Sequence, residues 1–401
     1  MACRSPEQRQ FDVVIVGGAI MGSAAAWFLT DTDSFDGSIL VIDRDLTFAS
    51  SATAHSTSCI RQQFSTALNV KISQFGADFV NNMRAFMGGD PRVPKIGIRS
   101  FGYLYLADTP AYADDLRKRH GVQIAAGAAT RLLTPDEIAA RYPFYALDDI
   151  LLGSINTVDE GYFDSMAVFD WLKRQAQERG AIYIENDVVD MSVTGGRVHS
   201  VTLASGEVIA CGHVINASGP RAARTAAMAG ITLPVEPRKR HSWVFKAQHP
   251  LVCDLPLTID PSGVHVRENG GGTYQAGGYL GDDPAVDADD FAVDHALWEA
   301  EVWPILAARI PQFESIRLTH SWVGHYEMNT FDHNAILGPH PDIANFYFMN
   351  GFSGHGLQQA PAMGRGIAEW LYHGEYRTLD LGGFHFDRLL SDQPQVEQAV
   401  I

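Results

Sequence analysis

The chain has 401 residues, of which 46% are hydrophobic and 19% are charged, and its formal net charge is −17. This length allows roughly two to three domains, or one wound architecture with an inserted domain. The negative charge argues against nucleic acid as a partner. No apolar run reaches the roughly 18 residues that a membrane span requires, and the four cysteines form no C-x-x-C pair. With the polar start MACRSPEQRQ, which is not a signal peptide, these features predict a cytoplasmic protein without a metal site.

The first predicted unit is a strand, a glycine turn, a helix and a second strand. Residues 13–16 form a continuous β-branched run, which is typical of a strand buried on both faces. The turn follows the G-x-G-x-x-G pattern with alanine in the middle, and residues 39–42 form a second apolar run before an acid. Such a turn brings a pyrophosphate to a helix N-terminus, and the acid accepts hydrogen bonds from a ribose. The alternative is a packing motif without a ligand. The predicted dinucleotide contacts are Gly17, Gly18, Ala19, Ile20, Met21, Gly22 and Asp43.

Three later segments bear on whether the dinucleotide is NAD or FAD. Residues 49–65, ASSATAHSTSCIRQQFS, are rich in Ser, Thr and Ala, as expected of a loop that lines a phosphate and flavin tunnel. Residues 182–216 alternate like a three-stranded meander that leads into VINASGP. Residues 347–374, YFMNGFSGHGLQQAPAMGRGIAEWLYHG, predict a strand, a glycine turn and a helix from about Gln358 to Tyr372.

This layout resembles the D-amino-acid-oxidase superfamily of FAD enzymes, and within it the glycine oxidase and sarcosine oxidase branch. The matching segments are VVIVGGAIMGSA, ILVIDRD, IRQQF, VINASGP and NGFSGHGLQQAPAMGR, so the resemblance runs from residue 13 to about residue 370. It implies an α/β fold in which a discontinuous Rossmann-type FAD-binding domain spans residues 1–80, 150–230 and 330–401. A second, β-sheet-rich substrate domain is expected over residues 81–149 and 231–329.

The resemblance also implies how the flavin is held. The turn before the last helix is expected at the pyrimidine edge, where backbone N–H groups stabilise the charge of the reduced ring. Some relatives attach the flavin through a cysteine, which is Gly324 here, and others through a histidine near His55. Noncovalent FAD and a buried, hydrogen-bonded His55 are therefore expected, with a histidyl linkage as the alternative. The further implied FAD contacts are Arg44, Ser51, Ala54, His55, Ser56, Val188, Ala217, Ser218, Gly219, Gly354, His355, Gly356, Leu357 and Gln358.

Relatives oxidise a carbon–nitrogen bond beside a carboxylate, for which arginine is the natural bidentate partner. The resemblance implies Arg61 as the carboxylate ligand, with a structural arginine as the alternative, and Tyr326 as a substrate-facing aromatic residue. His325 either donates to the carboxylate or packs in the core. In PRKRHSWVFKA, alternation places residues 239 and 241 on one face and 238 and 240 on the other, and we expect His241 to face the cavity. Tyr279 lies near another pocket position of the family.

Two positions depart from the sarcosine oxidase pattern. Gln275 stands where those enzymes have a lysine that promotes reaction with oxygen, and Gln358 stands where they have a lysine that binds the carboxylate. The first departure argues against direct oxidation by oxygen. The second indicates a different carboxylate clamp and a substrate other than sarcosine itself, such as another N-substituted glycine or an iminodiacetate-like amine. Residues 281–290, GDDPAVDADD, are expected to be a solvated loop rather than a metal site.

The leading hypothesis is an FAD-dependent amine or amino-acid oxidase. A hydride passes from the carbon next to nitrogen to flavin N5, the imine is hydrolysed to an aldehyde or oxo acid plus an amine, and oxygen reoxidises the flavin to give hydrogen peroxide. One alternative is a dehydrogenase of the same chemistry with a protein or quinone acceptor. The others are a non-catalytic flavoprotein assembly factor and a nicotinamide-dependent enzyme.

Overall fold

The computed structural model describes residues 6–32, 35–278 and 281–400, so the predicted pocket residue Tyr279 lies outside the described residues. The strands are β1 (Gln10–Val16), β2 (Ile39–Asp43), β3 (Cys59–Ile60), β4 (Tyr103–Ala107), β5 (Arg131–Leu133), β6 (Leu152–Asn156), β7 (Gly161–Tyr162), β8 (Ile182–Glu185), β9 (Val188–Thr194), β10 (Arg197–Leu203), β11 (Val208–Asn216), β12 (Val235–Ala247), β13 (Leu257–Ile259), β14 (His265–Gly270), β15 (Thr273–Gly278), β16 (Ile316–Asn329), β17 (Ile336–Pro339) and β18 (Phe346–Asn350). The α-helices are α1 (Ile20–Asp31), α2 (Ala67–Asn81), α3 (Met83–Phe86), α4 (Pro110–Ala125), α5 (Pro135–Arg141), α6 (Ser165–Glu178), α7 (Ala222–Met228), α8 (His295–Leu297), α9 (Trp303–Arg309), α10 (Gly356–His373) and α11 (Asp387–Leu390).

The first sheet is built around β1, which pairs in parallel with β2 on one side and β11 on the other. The strand order is β17-β18-β11-β1-β2-β8, and β10 and β9 extend from β11. Val13 and Ile15 pack into one buried cluster and Val14 and Val16 into another, so both faces of β1 are covered. The prediction of a strand buried on both faces is confirmed. The expected meander is formed by β9, β10 and β11, whereas β8 pairs in parallel with β2.

Two helices cross each other closely on one face of this sheet. A Cβ atom at Gly364 of α10 would lie 2.7 Å from the backbone carbonyl carbon of Ala24 in α1. Small residues are therefore needed here because the two helix backbones are almost in contact. Within the described ranges, no helix combines the length and hydropathy that a bilayer crossing needs.

The second sheet has the order β16-β12-β15-β14-β13-β4-β6-β5. Its longest ladder is the antiparallel pair β12 and β16, in which Arg240 lies opposite Gly324. Trp243 and Phe245 of β12 are fully buried and pack against Trp298 of the helical segment 295–309. This packing leaves the opposite face of β12 and β16 available to a cavity. Because β6 pairs with β4, the expected domain boundary at residue 150 is misplaced: residues 152–156 belong to the second sheet.

Candidate active site

A long cavity lies between the two sheets and is lined by elements of both. It starts at the ends of β2 and β11, passes the start of α1 and the loop 48–57, and reaches β12, β16 and the start of α10. The predicted cofactor residues among its lining are Gly17, Ala19, Ile20, Met21, Asp43, Arg44, Ser51, His55, Ser56, Val188, Ala217, Ser218, Gly219, Gly354, His355, Gly356, Leu357 and Gln358. Gly18, Gly22 and Ala54 lie in the adjoining segments without lining the cavity.

The glycines of the first turn are required by close backbone contacts. Gly17 has a φ of +99°, and a Cβ atom there would lie 2.3 Å from the carbonyl oxygen of Ala217. A Cβ atom at Gly22 would lie 1.9 Å from the carbonyl oxygen of Gly17. Asp43 accepts a hydrogen bond from the Gly18 N–H group at 2.7 Å, which fixes the acid beside the turn. Burial raises the pKa of Asp43 in spite of this hydrogen bond.

The start of α10 forms the other end of the cavity. Gly354 has a φ of +90°, and a Cβ atom there would lie 2.3 Å from Cε2 of Tyr326. The turn therefore rests directly on the ring of Tyr326. His355 is buried, and burial together with the nearby Arg61 lowers the pKa of its imidazole, which keeps the ring neutral. With the ring neutral, the positive potential there comes from the backbone N–H groups at the helix start and from the guanidinium of Arg61.

Arg61 lines the cavity, but its guanidinium is bound by groups of the protein itself. Its guanidinium is buried and donates to the carbonyl oxygen of Gln63 at 2.5 Å and to that of Ala399. Nη2 also lies 3.0 Å from Nε2 of His355, and the guanidinium stacks on the ring of Phe64. These contacts occupy the fork and favour the structural role that was considered as the alternative. Gln358 stands where sarcosine oxidases have the carboxylate-binding lysine, and its Oε1 accepts from the Arg61 backbone N–H group at 2.7 Å.

A segment near the end of the chain, residues 393–400, holds this arrangement in place. Glu397 is fully buried, and its carboxylate accepts from the backbone N–H group of Ser65 at 2.8 Å and from Nδ2 of Asn69 at 2.9 Å. It also accepts from the backbone N–H group of Ala399 at 2.9 Å. Burial acts to raise the pKa of Glu397, but the hydrogen bonds outweigh it and the pKa is lowered. Nothing in the local sequence indicated this contact.

Tyr326 borders the cavity, as predicted. The two histidines predicted beside it also contact the segment 281–294. His325 lines the cavity wall, and its Nε2 lies 3.0 Å from the carbonyl oxygen of Asp290. His241 stacks on Trp243, and its Nε2 accepts a hydrogen bond from the backbone N–H group of Asp294. Both imidazoles therefore contact the segment 281–294 from the cavity wall, which His241 lines as expected.

We call residues 281–294 the acidic loop because they include six aspartates and no basic residue. As expected of a solvated loop, most residues of 281–290 are exposed, and ion pairs also anchor the loop at the cavity. The ion pairs are Arg240–Asp283, Arg221–Asp289, Arg44–Asp289 and Lys239–Asp290. In the part of the chain that the structure describes, no group of three or more His, Cys, Asp or Glu side chains is arranged to hold a metal ion.

Arg240 is the basic residue of β12 that faces the cavity beside Tyr326. Its guanidinium lies 4.5 Å from the centre of the Tyr326 ring. Its two terminal nitrogens bind the two oxygens of Asp283 at 2.7 and 2.9 Å. Alternation places residues 238 and 240 on a common face, but nothing in the local sequence singles out Arg240.

Two further residues of the cavity wall bear on its chemistry. Glu327 follows Tyr326 in β16 and accepts a hydrogen bond from the Gly351 N–H group at 3.0 Å. Burial raises its pKa to about 8, so that its carboxyl group carries a proton at neutral pH. His55 packs against Gly324, where a Cβ atom would lie 2.9 Å from the His55 Cβ atom. The expected hydrogen bond of His55 is not found at Nδ1, which is buried without a partner in the described residues.

The chain was compared with known proteins. A family profile described as FAD dependent oxidoreductase matches residues 12–370. FAD-dependent oxidoreductase domain-containing protein 1 of Xenopus laevis is 35% identical over 97% of this chain and 85% of its own length. The mitochondrial sarcosine dehydrogenase of Homo sapiens is 25% identical over 96% of this chain and 42% of its own length.

Solved structures show the same fold. L-proline dehydrogenase from P. horikoshii has a TM-score of 0.84 at 23% identity, with 97% of this chain and 100% of that chain covered. Glycine oxidase from Geobacillus kaustophilus has a TM-score of 0.79 at 21% identity, with coverages of 94% and 98%. Iminodiacetate oxidase from Chelativorans sp. BNC1 has a TM-score of 0.75 at 20% identity, with coverages of 93% and 98%.

Proposed function

Because the chain belongs to the family of FAD-dependent oxidoreductases, we propose that it oxidises the carbon–nitrogen bond of a small carboxylate-bearing amine. The substrate class is a secondary amine or amino acid, such as an N-substituted glycine or an iminodiacetate-like compound. One observation supports this most. A single cavity connects the starts of helices α1 and α10 with the side of the second sheet that carries Tyr326 and Arg240.

The residues of the cavity fit FAD, the cofactor of this family. The crowded turn at Gly17 presents the start of α1, where phosphate charge is stabilised. The turn at Gly354 presents the start of α10, whose dipole favours negative charge on a nearby ring. The acid at Asp43 stands beside the first turn, as a ribose contact requires. Bound there, FAD supplies the hydride acceptor.

The protein's own contribution to the reaction is to position the amine and to exclude water. The ring of Tyr326 forms one wall beside the α10 turn, and the buried Phe352 lines the neighbouring part of the cavity. A carboxylate bound on this side places the adjacent carbon–nitrogen bond near that turn. Loss of a hydride from a neutral amine gives an iminium ion, which loses a proton and is hydrolysed to an aldehyde or oxo acid plus an amine.

The proposed electron acceptor is oxygen, which is reduced to hydrogen peroxide. The second candidate is a dehydrogenase, which passes the electrons to a protein or a quinone. The dehydrogenase is favoured by Gln275, which is buried and accepts from Nη2 of Arg267 at 2.7 Å in place of the lysine of sarcosine oxidases. The oxidase is favoured by Arg267, because its buried positive charge lies beside Gln275, where the lysine of sarcosine oxidases would stand. Such a charge stabilises the negative charge that develops on oxygen. The two candidates share their reductive chemistry and differ in what takes the electrons.

The test is anaerobic reduction of the FAD-loaded protein by a panel of N-alkylglycines, iminodiacids and amino acids, followed by admission of oxygen. Loss of the flavin absorption band with at least one amine is the expected result. Rapid recovery of the band with stoichiometric peroxide supports an oxidase, and slow recovery that a quinone accelerates supports a dehydrogenase. FAD that no amine of the panel reduces would contradict the proposal and favour a non-catalytic flavoprotein.

A further inference from the structure

The contact between Arg240 and Asp283 has the geometry with which arginine binds a free carboxylate. Two parallel N–H···O hydrogen bonds of 2.7 and 2.9 Å join the guanidinium fork to both carboxylate oxygens. Arg240 is held from behind by the ring of Tyr326 and by the carbonyl oxygen of Lys239 at 2.8 Å. The arginine is thus fixed in one orientation at the cavity, whichever carboxylate it binds.

The two partners differ in how firmly the protein holds them. The Arg240 side chain is 9% exposed and belongs to the longest ladder of the second sheet, whereas the Asp283 side chain is 22% exposed and belongs to the acidic loop. If the pair separates, Asp283 can turn toward water while the guanidinium stays at the cavity wall. The exchange of one carboxylate for another leaves Arg240 paired throughout, so no buried charge is left without a partner.

We propose that Arg240 anchors the carboxylate of the substrate and that Asp283 occupies this site until the substrate replaces it. The proposal rests on the proposed function and assigns its carboxylate to one residue. Two other cations near the cavity bind protein groups: Arg61 binds the carbonyl oxygen of Ala399, and Arg267 binds Gln275 and the carbonyl oxygen of Thr57. Arg44, Arg221 and Arg224 also line the cavity, and each lies within ion-pair distance of an aspartate.

The rest of the acidic loop can stay in place during this exchange. Asp290 pairs with Lys239 at 2.7 Å, and Asp289 pairs with Arg221 and Arg44. The backbone N–H group of Asp294 is held by His241. Only the Asp283 side chain has to move, so the internal carboxylate acts as a competitor whose strength sets the apparent affinity for anionic ligands.

The experiment measures carboxylate binding by calorimetry with the FAD-loaded protein, independently of turnover. The probe is pyrrole-2-carboxylate, and its uncharged counterpart is pyrrole-2-carboxamide. D283N keeps the size of the side chain and removes the competing charge, so we expect the Kd for the carboxylate to fall at least tenfold. R240K keeps the positive charge but loses the fork, and we expect the Kd to rise at least tenfold. The Kd for the carboxamide should change less than twofold in both variants.

The matched control is D289N, which removes a carboxylate from the same loop at a different ion pair and should leave the Kd for the carboxylate unchanged. In an R240K background, D283N should no longer strengthen binding, because its effect acts through Arg240. Unchanged or weaker carboxylate binding in D283N would overturn the proposal, as would equal effects of D283N and D289N. If D283N does not fold, an unchanged Kd in R240K overturns it instead. Failure of the proposed function would appear separately, as a flavin that no amine reduces.

Discussion

The ring of Tyr326 occupies the space that a side chain at Gly354 would need, with Cε2 only 2.3 Å from the ideal Cβ position. This contact joins the second sheet to the start of α10, so the substrate side and the flavin side of the cavity meet at these two residues. Glycine is therefore required at position 354 for two reasons, its positive φ and the lack of space for a side chain.

The substitution G354A tests this contact. The methyl group would push the α10 turn away from Tyr326 and from the flavin, and we expect FAD binding to weaken at least tenfold, which is about 1.4 kcal/mol. G270A is the matched control, because Gly270 also has a φ of +90° but no atom of the described chain lies within 4 Å of its Cβ position. It should lose about 1–2 kcal/mol of stability from backbone strain alone and bind FAD normally. Equal effects of the two variants would disprove the steric explanation.

Glu327 predicts a pH dependence of stability in the protein without FAD. Burial raises its pKa in the folded state to about 8, above the ordinary value of 4.5. The raised pKa means that this residue's contribution to stability is complete below about pH 4.5 and is lost as the pH rises to about 8. We expect E327Q, which keeps an acceptor for the Gly351 N–H group, to become more stable relative to the wild type between pH 5 and pH 9. Urea unfolding at both pH values measures this, with E314Q at an exposed residue as the control. A difference that does not change with pH would refute the assignment.

Glu397 should contribute strongly to stability because several donors depend on its carboxylate. E397Q removes the charge that Ser65, Asn69 and the Ala399 N–H group stabilise, and the expected loss of unfolding free energy is about 1–3 kcal/mol. Denaturant unfolding of the variant against E301Q, a substitution at an exposed residue, gives the comparison. If E397Q unfolds at the wild-type urea concentration, the segment 393–400 is not anchored as described.

FAD is expected to be released when the protein is denatured. Gly324 stands at the position of the linking cysteine in the relatives that the sequence resembles, and His55 packs so closely against it that a side chain there would not fit. Acid precipitation should leave the flavin in the supernatant. A yellow pellet that becomes colourless in H55A would instead establish a histidyl linkage.

The strands and turns on the proposed flavin side of the cavity could be predicted from sequence because their signals are local. The strand β1, the glycine turn, the strand β2 and Asp43 lie within about thirty residues, and each has a periodicity or spacing with a physical cause. The helix α10 was predicted to begin at about Gln358, and it begins at Gly356, two residues earlier. The family resemblance supplied the role of the turn before it, which periodicity alone does not reveal.

The substrate half could not be predicted because its contacts join distant parts of the chain. Arg61 is bound by Ala399, 338 residues away, and no local pattern distinguishes this use from carboxylate binding. Alternation in β12 correctly separated residues 238 and 240 from 239 and 241. Which face borders the cavity depended on the packing of Trp243 and Phe245 in the second sheet. The ion pairs of the acidic loop could not be predicted because the cationic partners come from other elements.

The acidic loop draws its cationic partners from both halves of the molecule. Arg44 and Arg221 adjoin strands of the first sheet, whereas Lys239 and Arg240 belong to the second. The loop therefore links the two halves of the molecule through ion pairs, which weaken as dissolved ions screen them. A higher salt concentration is accordingly expected to loosen the attachment of this segment to both sheets.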